Sequence, residues 1–423
     1  MIGSHDSGMI RRNEHLDEAN PLGGRSIALL ALAGFASAAS MRVCDPLLPK
    51  LAETFQATPG DAAHAISAFA IAYGLLQLVY GPLGDRYGKR RVIALATAAC
   101  TLGSVGAAIA PSLGWLVAFR VLSGGTAAAI IPLSMAWIGD AVPYARRQST
   151  LARLLTGTIL GMIGGQIIGG IFADTLGWRL AFVFLAGIYA TVALMFHLGR
   201  AHMPPDRRAG RAGATVSAQA RTILEDPWAR TIVLVSFLEG AAVFGAMAFI
   251  PTYLNARFGL TLTAAGAILG FYGIGGLAYT FVVTRLVRAV GERGLAAGGG
   301  LLLSGALGTF ILAPAWPWTF AASFGAGLGF YMLHGTLQAH ATQMAPSARG
   351  TAVSLFVCAL FLGQSGGVAA ASGIVEIAGT EWVLGMAALA CAAIGIVFSH
   401  ILGRRHSRRQ GQTMPPVQEL REL

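Results

Sequence analysis

Gly81-Pro82-Leu83-Gly84-Asp85-Arg86-Tyr87-Gly88-Lys89-Arg90-Arg91 packs five charged residues and three glycines into eleven positions, at the junction of two apolar runs, 64–83 and 92–112, that contain no Asp, Glu, Lys or Arg. Glycine lets a chain turn tightly between two helices, and a knot of cations beside a long apolar segment is held at the anionic face of a bilayer. The stretch therefore reads as a short basic turn joining two membrane helices.

The rest of the chain fits that reading. Of its 423 residues only 12% are charged and 55% are hydrophobic, with a mean hydropathy of +0.64. A soluble domain carries about a quarter charged residues, so much of this surface must face lipid. The balance excludes a soluble enzyme, a disordered chain and a secreted disulfide scaffold. Cys44, Cys100, Cys358 and Cys391 all sit in apolar runs without metal-ligand spacing and read as small core residues. The net charge of +11 is read against membrane sidedness, and no nucleic-acid partner is expected. Lysine occurs only at Lys50 and Lys89, an arginine bias that suggests a GC-rich bacterial genome.

A bilayer core about 30 Å thick takes roughly 20 apolar residues per helix. Working outward from the turn, such runs fall at 26–49, 64–83, 92–112, 114–138, 151–173, 180–199, 231–254, 266–284, 294–314, 317–342, 351–373 and 382–402. Their length and lack of period-two alternation predict an all-α integral membrane protein of 12 transmembrane helices and exclude a barrel. Ala36-Ser37-Ala38-Ala39 could pass for a signal-cleavage site, but the apolar run continues to Leu48, so this helix is expected to be retained. With the N-terminus in the cytoplasm, Arg11, Arg12, Arg25, the basic turn, Arg146, Arg147, Arg153, Arg285, Arg288, Arg293, Arg349 and Arg404, Arg405, Arg408, Arg409 share one side. The opposite loops hold only Lys50, Arg179 and Arg257. The positive-inside rule then places both termini in the cytoplasm of a multi-pass protein of the bacterial inner membrane.

The polar stretch Arg200 to Arg230, with Pro204-Pro205, divides the chain. The expected layout is a tail at 1–25, a six-helix bundle at 26–199, a loop at 200–230, a second six-helix bundle at 231–403 and a tail at 404–423. Landmarks recur at one offset: Gly88 with Gly291, Arg90 with Arg293, Pro111 with Pro314, Trp115 with Trp318, Gly124 with Gly327, Pro143 with Pro346 and Arg146 with Arg349, each pair 203 apart (346 − 143). Two pseudo-symmetric halves around a central pathway are an architecture of secondary transporters.

With these features in place, Gly81, Leu83, Asp85, Arg86, Gly88, Lys89 and Arg90 match G-x-L-x-D-R-x-G-R/K-R/K, and the chain resembles the major facilitator superfamily, in particular its 12-span drug:proton antiporters. The resemblance covers residues 26–403. It implies that Asp85 latches the two halves together on the cytoplasmic side in the outward-facing state. The second half has Arg288 where Asp85 would be, so such a latch is asymmetric. Arg120 followed by Gly124-Gly125 resembles the family's intramembrane arginine, with Ser123 in place of the usual glutamine. Gly157, Gly161, Gly165 and Gly169 stand at four-residue steps, beside Gly164 and Gly170. Such a stripe lets helices approach closely. Gly161, Gly165, Gly169 and Gly170 also resemble the antiporter signature G-x-x-x-G-P-x-x-G-G, except that Gln166 replaces its proline.

A charge in hydrocarbon costs at least about 2–3 kcal/mol and faces the bundle interior, a water cavity or an interface. Arg42, Asp45, Arg120 and Glu239 are the charges in this position. Arg42 and Asp45 share a helical face, and Pro46-Leu47-Leu48-Pro49 would distort that helix. A buried carboxylate that trades a proton can couple cation flow to conformational change. Asp45 is the first candidate carrier and Glu239 the second; a static Arg42–Asp45 pair and an Arg120 snorkelling to the interface are the structural alternatives. His334 is a weaker coupling candidate. Tyr73, Gln77, Gln166, Tyr272 and Tyr331 are candidate cavity residues, with Tyr80, Trp137 and Phe271 as further surface.

The expected function is alternating-access transport, with proton-coupled efflux of small amphipathic molecules favoured. Uptake or facilitated exchange of a sugar, organic acid or amino acid remains open on the same fold. Expected partners are a small-molecule substrate, protons and the bilayer, with no cofactor, no metal, the proton gradient as energy source and a monomeric state. No H-E-x-x-H, nucleophile elbow or phosphate loop supports an enzyme, and only short tails are available to a sensor.

Overall fold

The computed structural model describes residues 22–199 and 216–413. Residues 1–21 and 414–423 of the expected tails, most of the central loop with Pro204-Pro205, and the side chains of Arg408 and Arg409 lie outside the described residues. The first half comprises α1 (Gly24–Arg42), α2 (Cys44–Phe55), α3 (Pro59–Ala62), α4 (His64–Tyr87), α5 (Lys89–Ala108), α6 (Leu113–Ala127), α7 (Ile130–Ala141), α8 (Tyr144–Asp174) and α9 (Trp178–Leu198). The second comprises α10 (Val216–Glu225), α11 (Pro227–Met247), α12 (Ile250–Phe258), α13 (Leu262–Leu312), α14 (Trp318–Ala341), α15 (Arg349–Ala378) and α16 (Thr380–Thr413). No strand occurs among the described residues.

Ten helices among the described residues are long and apolar enough to cross a membrane. One is α13, whose 51 residues would reach about 76 Å at 1.5 Å per residue. It is not a single rod. Gly291 sits at φ 64°, ψ −179°, and Gly275 on one arm and Gly299 on the other both press against α14 backbone, so the chain folds back at this glycine. Its 203-residue counterpart Gly88 ends α4 at φ 93°. Both turns use a left-handed conformation that glycine alone adopts without cost. The 24-residue α14 is not among the ten.

Three expected spans are interrupted by proline. Pro46 has no N–H for the Arg42 carbonyl, and the helix breaks at Val43 before continuing through Pro49 to Phe55. Pro132 and Pro251 do the same at the breaks between α6 and α7 and between α11 and α12. Those two breaks lie inside runs that hydropathy presents as continuous.

The glycine stripe of α8 sets a close backbone contact in the first half. A Cβ at Gly157, Gly161, Gly165 or Gly169 would collide with the carbonyl oxygens of Ala31, Phe35, Ala39 and Val43, a matching four-residue series on α1 and the break after it. Gly170 faces elsewhere, against Leu262 at the start of α13. In the second half Gly363 and Gly367 of α15 meet the carbonyls of Phe237 and Ala241 on α11 in the same manner. Removing the side chain lets the backbones approach where lipid offers no hydrophobic drive for association.

Candidate functional site

In the first half three polar side chains converge at the Val43 break. Asp45 is fully buried, Arg42 is 4% exposed and Gln166 3%. Gln166 Nε2 donates to Asp45 Oδ2 at 2.7 Å, and Arg42 Nη1 stands 3.8 Å from the same oxygen. The glycine stripe explains the meeting: with Gly165 and Gly169 pressed against Ala39 and Val43, Gln166 is carried to the start of α2. The residue that departs from the antiporter signature thus ties α8 to Asp45. Asp45 Oδ1 and Gln166 Oε1 have no hydrogen-bond partner among the described residues. The Arg42 guanidinium lies 4.3 Å from the centroid of the Phe244 ring, on α11 of the other half. Beside it is a cavity of about 10 Å³, room for roughly one water, lined by Met162, Ile163 and Gln166 from α8 and by Met247, Leu269, Tyr272 and Gly273 from the second half.

The second half has its own buried acid. Glu239 on α11 is fully buried, and one carboxylate oxygen meets His334 Nδ1 at 2.9 Å. The other oxygen has no partner among the described residues. The His334 ring stacks on Phe330 at 4.8 Å and 13° and lies 5.1 Å from Phe356, so aromatic packing fixes the imidazole in place. Glu239 and His334 entered as separate candidates 95 residues apart; the fold makes them one acid–base pair. His340 belongs elsewhere, pairing with Glu292 at 3.2 Å and packing edge-on to Trp228.

Arg120 does not snorkel. It is 1% exposed and donates to the Ser40 carbonyl at 2.8 Å, the Ser40 hydroxyl at 3.3 Å and the Ala65 carbonyl at 3.1 Å, with its guanidinium 4.1 Å from the Phe69 ring centroid. Backbone carbonyls and an aromatic face replace the carboxylate that a buried cation would be expected to find. Among the other cavity candidates, Tyr73 packs its ring 4.4 Å from Phe361 across the seam, and Gln77 is buried with Oε1 unpartnered among the described residues. Tyr331 closes over Gly276, while Trp137 and Phe271 pack on Phe196 and Phe320. Only Gln166 and Tyr272 of the five named cavity candidates line the cavity beside Arg42.

In the basic turn Asp85 pairs with Lys89 at 3.1 Å, and Lys89 also meets Asp140 at 2.7 Å, so both of these ion pairs stay within the first half. Three sets of polar bonds between the halves lie at the far end of the bundle. Asp174, at the end of α8, accepts from the Leu262 N–H at 3.1 Å, the Thr263 N–H at 2.6 Å and the Thr263 hydroxyl at 2.7 Å, capping α13 from the other half. Thr58 donates to Glu376 at 2.5 Å, and Ser365 to the Ser67 carbonyl at 3.0 Å. Sequence reasoning passed over Asp140, Asp174 and Glu376. They stand in turns and at helix ends, where a lone carboxylate looks like any solvated charge.

Long apolar helices, glycine-mediated contacts and buried charges on either side of a seam define a multi-pass membrane transporter. The chain belongs to the Major Facilitator Superfamily, whose family model matches residues 30–367. It is similar to the uncharacterized MFS-type transporter YceJ of Bacillus subtilis (strain 168), 26% identical over 77% of this chain and 83% of that one. Shorter similarities reach the multi-drug resistance efflux pump PmrA of Streptococcus pneumoniae, 31% identical over 38% of this chain and 41% of PmrA, and the multidrug export protein EmrB of Escherichia coli (strain K12), 27% identical over 43% and 36%. The crystal structure of the nucleoside transporter NupG shares the fold, with a TM-score of 0.71, 14% identity and coverage of 89% of this chain and 97% of that one.

Proposed function

We propose that this protein is a proton-coupled exporter of small amphipathic molecules, in which bundles 26–199 and 231–403 rock about the seam. In this reading Gly291 separates two spans and α14 crosses as well, giving twelve, with the basic turn and both termini cytoplasmic. The far end, bonded through Asp174 and Glu376, is then the extracellular side, closed in this conformation. Asp85 pairs locally with Lys89, as a cytoplasmic latch would when released.

The observation that carries the reading is the Glu239–His334 pair: a fully buried carboxylate, one oxygen on an imidazole nitrogen and the other unpartnered among the described residues. Such a pair can hold one proton in two places and exchange it when the site is wetted. Glu239 with His334 therefore takes the carrier role ahead of Asp45, which Gln166 and Arg42 hold in place. The efflux pumps among the similar proteins support the outward direction. The test is substrate-driven proton movement in proteoliposomes. Glu239→Gln should lower it at least about tenfold, and movement that survives Glu239→Gln unchanged would sink the assignment. Cysteine labelling should find the 200–230 loop on the cytoplasmic face, and labelling from outside would overturn the topology.

A further inference from the structure

Glycines bring α8 and α13 into backbone contact across the seam. A Cβ at Gly266 would strike the Gln166 carbonyl, and one at Gly170 the Leu262 carbonyl. One polar hole interrupts this contact, the cavity of about 10 Å³ where Arg42, Gln166 and Tyr272 meet among methionine, isoleucine and leucine side chains. Gln166 lies eight residues before Asp174 on α8 (174 − 166), about 12 Å by helix rise, so the hole sits roughly two turns below the bonds that close the far end.

Each polar group at the hole has bonding capacity that the protein leaves unused. Gln166 and Tyr272 are each 3% exposed, yet Gln166 Oε1 and the Tyr272 hydroxyl have no hydrogen-bond partner among the described residues. The Gln166 amide is not free to turn over, because its NH2 holds Asp45 Oδ2 at 2.7 Å and an ionised carboxylate only accepts. Arg42, 4% exposed, carries five N–H donors, and its ion-pair partner Asp45 stands 3.8 Å away, beyond hydrogen-bond distance. Buried polar groups are almost always paired, so these groups point to a partner that is not part of the chain. A buried water takes about 10–15 Å³ of room and two to four polar partners. The hole offers that room and three partners.

We propose that the hole is a binding site for a single water, which accepts from Arg42 and Tyr272, donates to Gln166 Oε1, and so clasps the two halves on the closed side of the seam. Arg42 and Gln166 belong to the first half and Tyr272 to the second, so parting the halves strips the water of a partner. The same water satisfies the Gln166 carbonyl while the amide holds Asp45. The clasp needs neither proton coupling nor a direction of transport.

Tyr272→Phe tests the clasp by the sign of its effect. With a water on the hydroxyl, the variant breaks one bond of the clasp and loosens the seam; with a bare hydroxyl, it removes an unpaired buried polar group and tightens the seam. Spin labels on Leu176→Cys and Ala315→Cys, exposed positions at the far ends of the two halves, report the ratio of closed to open forms of the full chain in lipid nanodiscs by pulsed electron resonance, and the four native cysteines are buried. Tyr272→Phe should lower that ratio about fivefold, the worth of one hydrogen bond. In a Gln166→Leu background the same change should shift it less than about twofold, because the two residues act through one water; the cycle subtracts the loss of the Asp45 bond. Melting temperatures of the same variants repeat the sign test where the open form is scarce. A higher ratio or melting temperature for Tyr272→Phe, or effects of the two variants that simply add, would overturn the proposal. An electron cryomicroscopy map that shows ordered water should place density within about 3.2 Å of both Gln166 Oε1 and the Tyr272 hydroxyl. A map with no density there, or with these two groups bonded directly, would overturn it as well.

Discussion

Asp45 and Glu239 are both fully buried carboxylates near the start of their halves, yet their surroundings differ in kind. Asp45 is bound by an amide and faced by a guanidinium, at a proline break packed against α8. Glu239 lies mid-helix with a stacked histidine as its partner. Their depths differ too. At the 203-residue offset Glu239 corresponds to position 36 (239 − 203), nine residues before Asp45 (45 − 36), or about 13 Å along a helix. The first site is a charge balance that holds structure and faces a cavity; the second is an acid–base pair able to trade a proton. Under the proposed mechanism, two halves of one architecture have separated the tasks.

Breaking the first site should cost the most stability. Arg42→Ala strands Asp45 as an uncompensated buried charge, an effect of about 3–5 kcal/mol, read as a large fall in the melting temperature of solubilised protein. Arg42→Gln/Asp45→Asn should recover most of it. The second site should answer in function instead. Glu239→Gln removes a charge while keeping a group that can bond His334, so melting should move by less than about 1 kcal/mol while proton movement in proteoliposomes falls at least about tenfold. If the two variants exchange signatures, the division of labour is wrong.

A smaller effect tests what assembles the first site. Gly165→Ala drives a methyl group into the Ala39 carbonyl and should cost about 1–3 kcal/mol, loosening the Gln166–Asp45 bond as α8 moves away. Gly187→Ala, where a Cβ meets nothing within 4 Å, is the matched control and should be neutral or slightly stabilising. Smaller still is Asp174→Asn. Loss of the carboxylate at the α13 N-terminus should cost about 0.5–1 kcal/mol of the closed arrangement, visible as faster labelling of a cysteine placed at Thr58. Asp85→Asn at the opposite end should slow turnover a few-fold with unchanged melting, and normal turnover would reduce the basic turn to a charged loop.

Much of the helical layout was legible because it rests on local patterns. Apolar length marks helices, Gly88 and Gly291 mark reversals, and the four-residue glycine stripe marked close packing before any partner was known. That stripe also shows the limit. It announced a tight interface on α8 but not that α1 would fill it, nor that Gln166 would bond Asp45, 121 residues away. Arg120 was legible as buried in need of partners, but its carbonyl acceptors at Ser40 and Ala65 leave no trace in residue type.

The physical reason lies in the solvent. In water, a helix declares its inner face by hydrophobic periodicity. In lipid both faces are apolar, so composition fixes that a segment crosses without fixing which way it turns. Sequence alone therefore determined a basic-ended, glycine-punctuated helical membrane chain built as two related halves, and singled out the charges that lipid should exclude. Only the tertiary structure decided their company: Glu239 with His334, Asp45 with Gln166, Arg42 over Phe244 beside a cavity, and Asp174 on the first turn of α13. Each of these contacts joins residues far apart in the chain, and packing, not local preference, selects them.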